Sequence, residues 1–238
     1  MAHPHRSGVR RSSSQPHRRS RLRFFDRLSW LLAFGLLLGI APQIQTLEPP
    51  PQLQLHRDLS DWQIGQPLDG ANSINPRTLP ELRAYALALV NRDRTLNGLL
   101  PLVEDPLLNL AAQRHAEDML NRQFFAHVNP DGVNPSGRFR AVGGQMGAGE
   151  NIYRRTGGTT ALSYSLAEKA QTGWMESDGH RANLLSLGYQ AFGYGIAASP
   201  EGDAVYVVQM FRPPTPVELL QGASQWVLDQ LPLERFSR

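Results

Sequence analysis

From Pro80 onward the apolar residues fall at helical spacing. Leu82, Tyr85, Ala86, Leu89 and Val90 make one stripe, with Pro80 suited to the first helical position, Glu81 to the first turn and Asn97-Gly98 to a stop. A second stripe, Leu107, Leu108, Ala111, Ala112, His115, Met119 and Leu120, follows Asp105-Pro106, a cap and then a proline. On this pattern His115 belongs to packing or surface at the edge of the stripe rather than to a ligand. Residues 127–149 are rich in Gly, Pro, Asn and Asp and read as loop with one short helix. A third helix is expected over about 161–176.

The period then changes to two. In YQAFGYGIA, Gln190, Phe192, Tyr194 and Ile196 share a face, and Ala191, Gly193, Gly195 and Ala197 share the other, where something must pack closely. In AVYVVQMF, Val205, Val207 and Phe211 oppose Tyr206, Val208 and Met210, so both faces are apolar and both should be covered. With SPEGD as the turn, the two runs form an antiparallel hairpin. Helices ahead of a hairpin covered on both sides predict an α/β protein, a three-layer α-β-α sandwich with a central antiparallel sheet, over residues 80–212. Residues 213–238 add a weakly amphipathic helix over 216–231, expected to dock on that domain.

Upstream, the pattern is not that of a globular domain. Leu28 to Ala41 is an apolar run of 14 residues. A membrane span takes about 20, and the core of a signal peptide about 7–15. Eight arginines and one acid precede its end in residues 1–29, so the remainder of the chain holds sixteen basic against twenty acidic residues. The sequence pI of 9.6 thus belongs to a tail and points away from nucleic acid. Residues 1–41 read as an export signal or a retained anchor, Pro42 hindering cleavage after Ala41, with the remainder outside the cytoplasm. Residues 42–79, with Pro42, Pro49, Pro50, Pro51, Pro67 and Pro76, read as an extended linker.

The chain has no cysteine, which excludes disulfides, thiolate metal sites and a cysteine nucleophile. There is no HExxH, no GxSxG and no phosphate-binding loop. Reactive residues sit instead in three turn-like segments. His127 lies in FFAHVNPDG, Glu150 stands between Gly149 and Asn151 at the start of a strand, and His180 lies in WMESDGHRANLL. Gly149 permits a close backbone approach. Ser177 suits a new helix cap, with Asp178 in the first turn, which leaves His180 unexplained. Two imidazoles and a carboxylate suit zinc or another divalent cation, but sequence distance does not fix their geometry.

Taken together and in order, LVNRDR, LAAQRHAEDM, FFAHVNPDG, GENI, WMESDGHRANLL, FGYGIA and YVVQMF resemble the CAP superfamily, or SCP domain, in its bacterial branch. The resemblance covers about residues 84–211. It implies an α-β-α sandwich with a cleft lined by two histidines and two acids that can bind a divalent ion. The histidines carried over are His127 and His180, and the first acid is Glu150. Where many members place the second acid this chain has Ser177, with Glu176 adjacent but rotated by about 100° on the helix. Asn151 completes the expected cleft.

Three functions fit these residues. One is an envelope or extracellular binding module for a lipid, wall polymer or peptide. Another is a metal-dependent hydrolase with Glu150 as catalytic base and His127 and His180 on the metal. In the third, the cleft side chains form a structural hydrogen-bond network.

Overall fold

The computed structural model of the chain describes residues 61–157 and 161–230. The export segment at 1–41 and residues 42–60 of the expected linker lie outside the described residues.

Helix α1 spans Leu79–Leu96. Its start is one residue before the predicted proline, because Thr78 caps it: the Thr78 hydroxyl accepts from the Glu81 amide and the Glu81 carboxylate accepts from the Thr78 amide. Asn97 closes it and Gly98, at φ 69°, turns the chain away. After the short strand β1 (Val103–Glu104), α2 spans Pro106–Asn121, and the Asp105 carboxylate accepts from the amides of Leu107 and Leu108. The short helix in the loop is α3, Pro135–Ala141. Strand β2 (Gly149–Thr156) precedes α4 (Tyr164–Glu176), capped by Ser163, and α5 (Asp178–Leu184). The hairpin is β3 (Ala191–Ala198) and β4 (Ala204–Arg212), followed by α6 (Pro216–Gln230).

The sheet order is β1-β3-β4-β2. β3, β4 and β2 are antiparallel, as the alternation predicts, but β1 pairs parallel with β3 through Val103↔Ala191 and Glu104↔Phe192, so the sheet is mixed. A two-residue strand is too short to show a period, and the sequence does not announce it.

Each sheet face buries the apolar set assigned to it. Phe192, Tyr194, Ile196, Val205, Val207 and Phe211 pack with α1, α4 and α5. Ile152, Tyr206, Val208 and Met210 pack with α2 and Phe139 of α3. Gly193 and Gly195 explain how α2 comes so close: a Cβ on either would strike the backbone of Leu108–Asn109 or Ala112–Gln113. The result is an α-β-α sandwich.

Two polar groups on α1, the half-buried Asn91 and the buried Arg94, fix the layer that carries α5. Asn91 pairs with both the amide and the carbonyl of Leu102. Arg94, 2% exposed, donates to the carbonyls of Leu100, Leu184 and Ser186 and has no acidic partner among the described residues. Burial pulls its pKa down to about 10. The charge is met by three carbonyl dipoles, and the chain just after α5 is thereby tied to α1.

Residues 61–78 form no strand and turn at 69–72, and they are fastened to the domain. The amides of Gln63, Gly65 and Leu68 donate to the side chains of Asn97, Asp93 and Glu168. Trp62 and Ile64 pack against the α1/α4 core. At the other end, Arg212 joins Asp105 to Glu218 and so anchors the first turn of α6. Of the helix expected to dock, the side chains of Val217, Leu219 and Leu220 are 61%, 54% and 72% exposed.

Candidate functional site

Glu150 is the second residue of β2 and points, with Ile152, to the α2 face. Its carboxylate is buried and both oxygens are engaged. Oε2 accepts from Arg138 Nη2 at 2.5 Å, and Oε1 lies 2.9 Å from His127 Nδ1 and 3.8 Å from His115 Nε2. Arg138 comes from α3 and also donates to the carbonyls of His127 and Val133. One guanidinium therefore neutralises the buried acid and holds the loop that presents His127. Against an ionised carboxylate, the His127 ring donates from Nδ1. Its side chain is half exposed, and Nε2 makes no hydrogen bond among the described residues.

His115 is fully buried in the α2 stripe, beside Phe124. Its Nε2 donates to the Ala126 carbonyl at 3.1 Å, and Nδ1 is left buried without a partner. Burial pushes its pKa down; the Glu150 charge opposes this and Arg138 reinforces it. His115 therefore packs, as the stripe predicts, but it packs against the acid of the cleft.

His180 stands in the first turns of α5. Ser177 occupies the cap position, yet its hydroxyl makes no cap bond; it lies 2.9 Å from His180 Nδ1. The serine thus orients the imidazole, which answers what the local helix chemistry leaves open. The His180 pKa is lowered, first by burial and then by the electrostatic effect of His127. The Asn151 side chain, on the opposite sheet face from Glu150, donates to the His180 carbonyl and to Gln209. Asn183 donates to the Glu150 carbonyl and to Asn151 Oδ1. α5 is thereby latched to the start of β2. Trp174 donates from its indole to the Ile152 carbonyl. Asn183 and Trp174 thus cap two carbonyls on the outer edge of the sheet. A Cβ at Gly149 would strike the Tyr189 hydroxyl, which is the close approach expected of that glycine.

The structure brings His127 to Glu150 and Ser177 to His180, and ties Asn151, on the other sheet face, to the His180 carbonyl. Glu176 is exposed, and its side chain forms no hydrogen bond or ion pair with the described residues. Helical rotation turns it away, so it does not replace the absent second acid. Arg138, Asn183 and Gln209 belong to the site and have no local signal. Their polar ends are meaningful only through partners brought from other elements. Among the described residues, no group of three or more His, Asp or Glu side chains is positioned to hold a metal ion.

A mixed four-stranded sheet between helical layers, with a histidine-and-glutamate cleft at the β2 edge, defines an α-β-α sandwich protein of the SCP type. The Cysteine-rich secretory protein family, CAP, matches residues 87–211, and the chain belongs to that family. It is 29% identical over 125 residues to the uncharacterized protein YkwD of Bacillus subtilis (strain 168), a match covering 52% of this chain and 46% of that one. It is 30% identical over 125 residues to the uncharacterized membrane protein YlbC of the same strain, covering 52% of this chain and 32% of that one. The chain therefore spans less than half the length of either relative. A crystal structure of an extracellular protein containing a SCP domain from Bacillus anthracis str. Ames is similar at a TM-score of 0.47 and 24% identity, covering 59% of this chain and 45% of that one.

Proposed function

We propose that this protein is an exported or membrane-anchored binding module of the cell envelope, whose His127–Glu150–His180 cleft takes a lipid, wall-polymer or peptide ligand outside the cytoplasm. The observation that carries this reading is the state of Glu150. Arg138 occupies one carboxylate oxygen and His127 the other. A general base needs an oxygen free to take a proton, and both oxygens of Glu150 are engaged. The ring nitrogens that make no hydrogen bond among the described residues are Nε2 of His127 and Nε2 of His180. They fit a weak two-imidazole contact with zinc or another divalent cation, and not the three-ligand centre of a catalytic zinc. The hydrolase reading therefore has less support than the binding module.

Support for an extracytoplasmic place comes from the arginine-rich segment and apolar run at residues 1–41, and from one relative named as a membrane protein and another as extracellular. No helix among the described residues is long and apolar enough to cross a membrane. The 28–41 run lies outside them.

The test is a panel of lipids, wall fragments and peptides offered to the full chain and to a His127→Ala/His180→Ala variant. Binding lost in the variant supports the module. Turnover of any panel member, abolished by Glu150→Gln with folding intact, would instead establish the hydrolase. The closed polar network favours a second, structural role for the same side chains. On that role alone, His127→Ala lowers stability by about 1–3 kcal/mol and no panel member binds.

A further inference from the structure

Beside the cleft, the α2 face of β2 carries a second group with unused binding capacity. Arg154 lies four residues beyond Glu150 on the same strand face, about 13 Å along it. Its guanidinium sits over the Phe125 ring, 5.1 Å from the centroid. Phe125 is 40% exposed and leans on Tyr206, the cross-strand neighbour of Arg154. The segment 125–127 thus runs beside β2, with Phe125 at Arg154 and His127 at Glu150. Val128, 49% exposed, extends the apolar surface past His127.

Among the described arginines, Arg77, Arg92, Arg122, Arg138, Arg181 and Arg212 each pair with a carboxylate. Arg154 is exposed, and its guanidinium makes no ion pair and no hydrogen bond with any described residue. Stacking on a ring desolvates one guanidinium face, restricts the side chain and leaves the in-plane N–H fork directed at solvent. Such a fork matches a carboxylate or phosphate oxygen pair.

We propose that Arg154 and Phe125 form an anion subsite contiguous with His127, which takes a carboxylate or phosphate carried on an apolar body. The proposal rests on reading the His127–Glu150 cleft as a ligand site and supplies the chemistry of that ligand. An apolar or aromatic portion covers Phe125 and Val128, the anionic group meets the Arg154 fork, and a polar portion reaches the outward Nε2 of His127.

The test uses the full chain in a non-ionic detergent, with three probes: 3-phenylpropanoate, phenyl phosphate and the neutral 3-phenylpropanamide. Binding is read as NMR shifts of the Arg154 side-chain N–H and the Phe125 and His127 amides, in the millimolar range suited to small probes. The expected result is that at least one anion binds about tenfold or more tighter than the amide. Arg154→Gln removes that preference, while Arg155→Gln, on the other strand face, retains it. The tighter of the two anions assigns carboxylate or phosphate chemistry. Equal binding of anions and amide, equal loss in both arginine variants, or no shifts at all overturns the proposal. His127→Ala separates the two readings. Anion binding that survives His127→Ala and fails in Arg154→Gln keeps the subsite without the cleft. Loss in His127→Ala alone keeps the cleft and overturns the subsite.

Discussion

At the scale of single residues, the cleft is an exercise in compensating buried charge. Glu150 is tolerable in the sheet because Arg138 and His127 meet both its oxygens. Glu150→Gln leaves the Arg138 guanidinium, which is 9% exposed, without its counter-charge. The expected loss is about 3–5 kcal/mol, seen as a lower denaturant midpoint. The Glu150→Gln/Arg138→Gln double variant is expected to lose less than the sum of the two single changes; strict additivity would show that the pair is not coupled. The histidines set a pH dependence. His115 and His180 are both held below the ordinary value of 6.5 by burial. As pH falls, the unfolded chain takes up these protons first. Their contribution to stability is complete above about pH 6.5 and is lost as pH drops through that value toward the lower folded pKa. Melting temperature between about pH 7 and 5 should therefore fall in the wild type, and less steeply in His115→Gln. Glycine at 149, the reactive positions 127, 150 and 180, and the cap at Asp105 are all legible in the sequence. The Ser177–His180 contact is not, because a serine at a helix start is explained equally well by capping.

At the scale of elements, close packing of α2 on β3 decides the fold. Gly193 and Gly195 alternate with large residues, and that pattern marks the close face correctly. What approaches is a helix backbone, so the space cannot be recovered by a rotamer change. Gly195→Val is expected to destabilise by about 1–3 kcal/mol or more, measured by denaturant unfolding. Gly222→Ala is the contrast: its Cβ meets nothing, and replacing a helical glycine should raise amide protection in α6, worth up to about 1 kcal/mol. The apolar stripe of α6 predicts a docked helix; the Arg212–Glu218 ion pair joins its start to the domain, while Val217, Leu219 and Leu220 stay exposed. An amphipathic pattern states that a face is apolar; it does not state what covers it.

At the scale of the whole molecule, a buried polar path joins the cleft to the N-terminal strap. Asn151 bonds Gln209, Gln209 bonds Gln171, and Gln171 bonds Asp93, which in turn accepts from the Gly65 amide. Asp93 is fully buried, and Arg92 bridges it to Glu168, the acceptor for Leu68. The segment 61–78 reads as linker from composition because its fastening is made by backbone amides, which carry no sequence signature. Deleting residues 61–70 removes three amide donors from the buried residues Asp93, Asn97 and Glu168. The expected cost is about 3 kcal/mol in unfolding free energy, with faster hydrogen exchange along α1. An unchanged midpoint would show the strap to be a passive tether.

The sequence by itself determined the helices, the hairpin, the two apolar faces of the sheet and the order of the reactive residues. These follow from periodicity, caps and glycine, which act over a few residues and are written in consecutive letters. Tertiary structure alone decided that Arg138 neutralises Glu150, that His115 packs behind it, that Ser177 turns to His180 rather than to its helix, that β1 joins the sheet in parallel, and that the strap is held by Asp93 and Glu168. Each of these is a contact whose energy depends on burial and distance between segments remote in the chain, and neither quantity exists until the layers have packed.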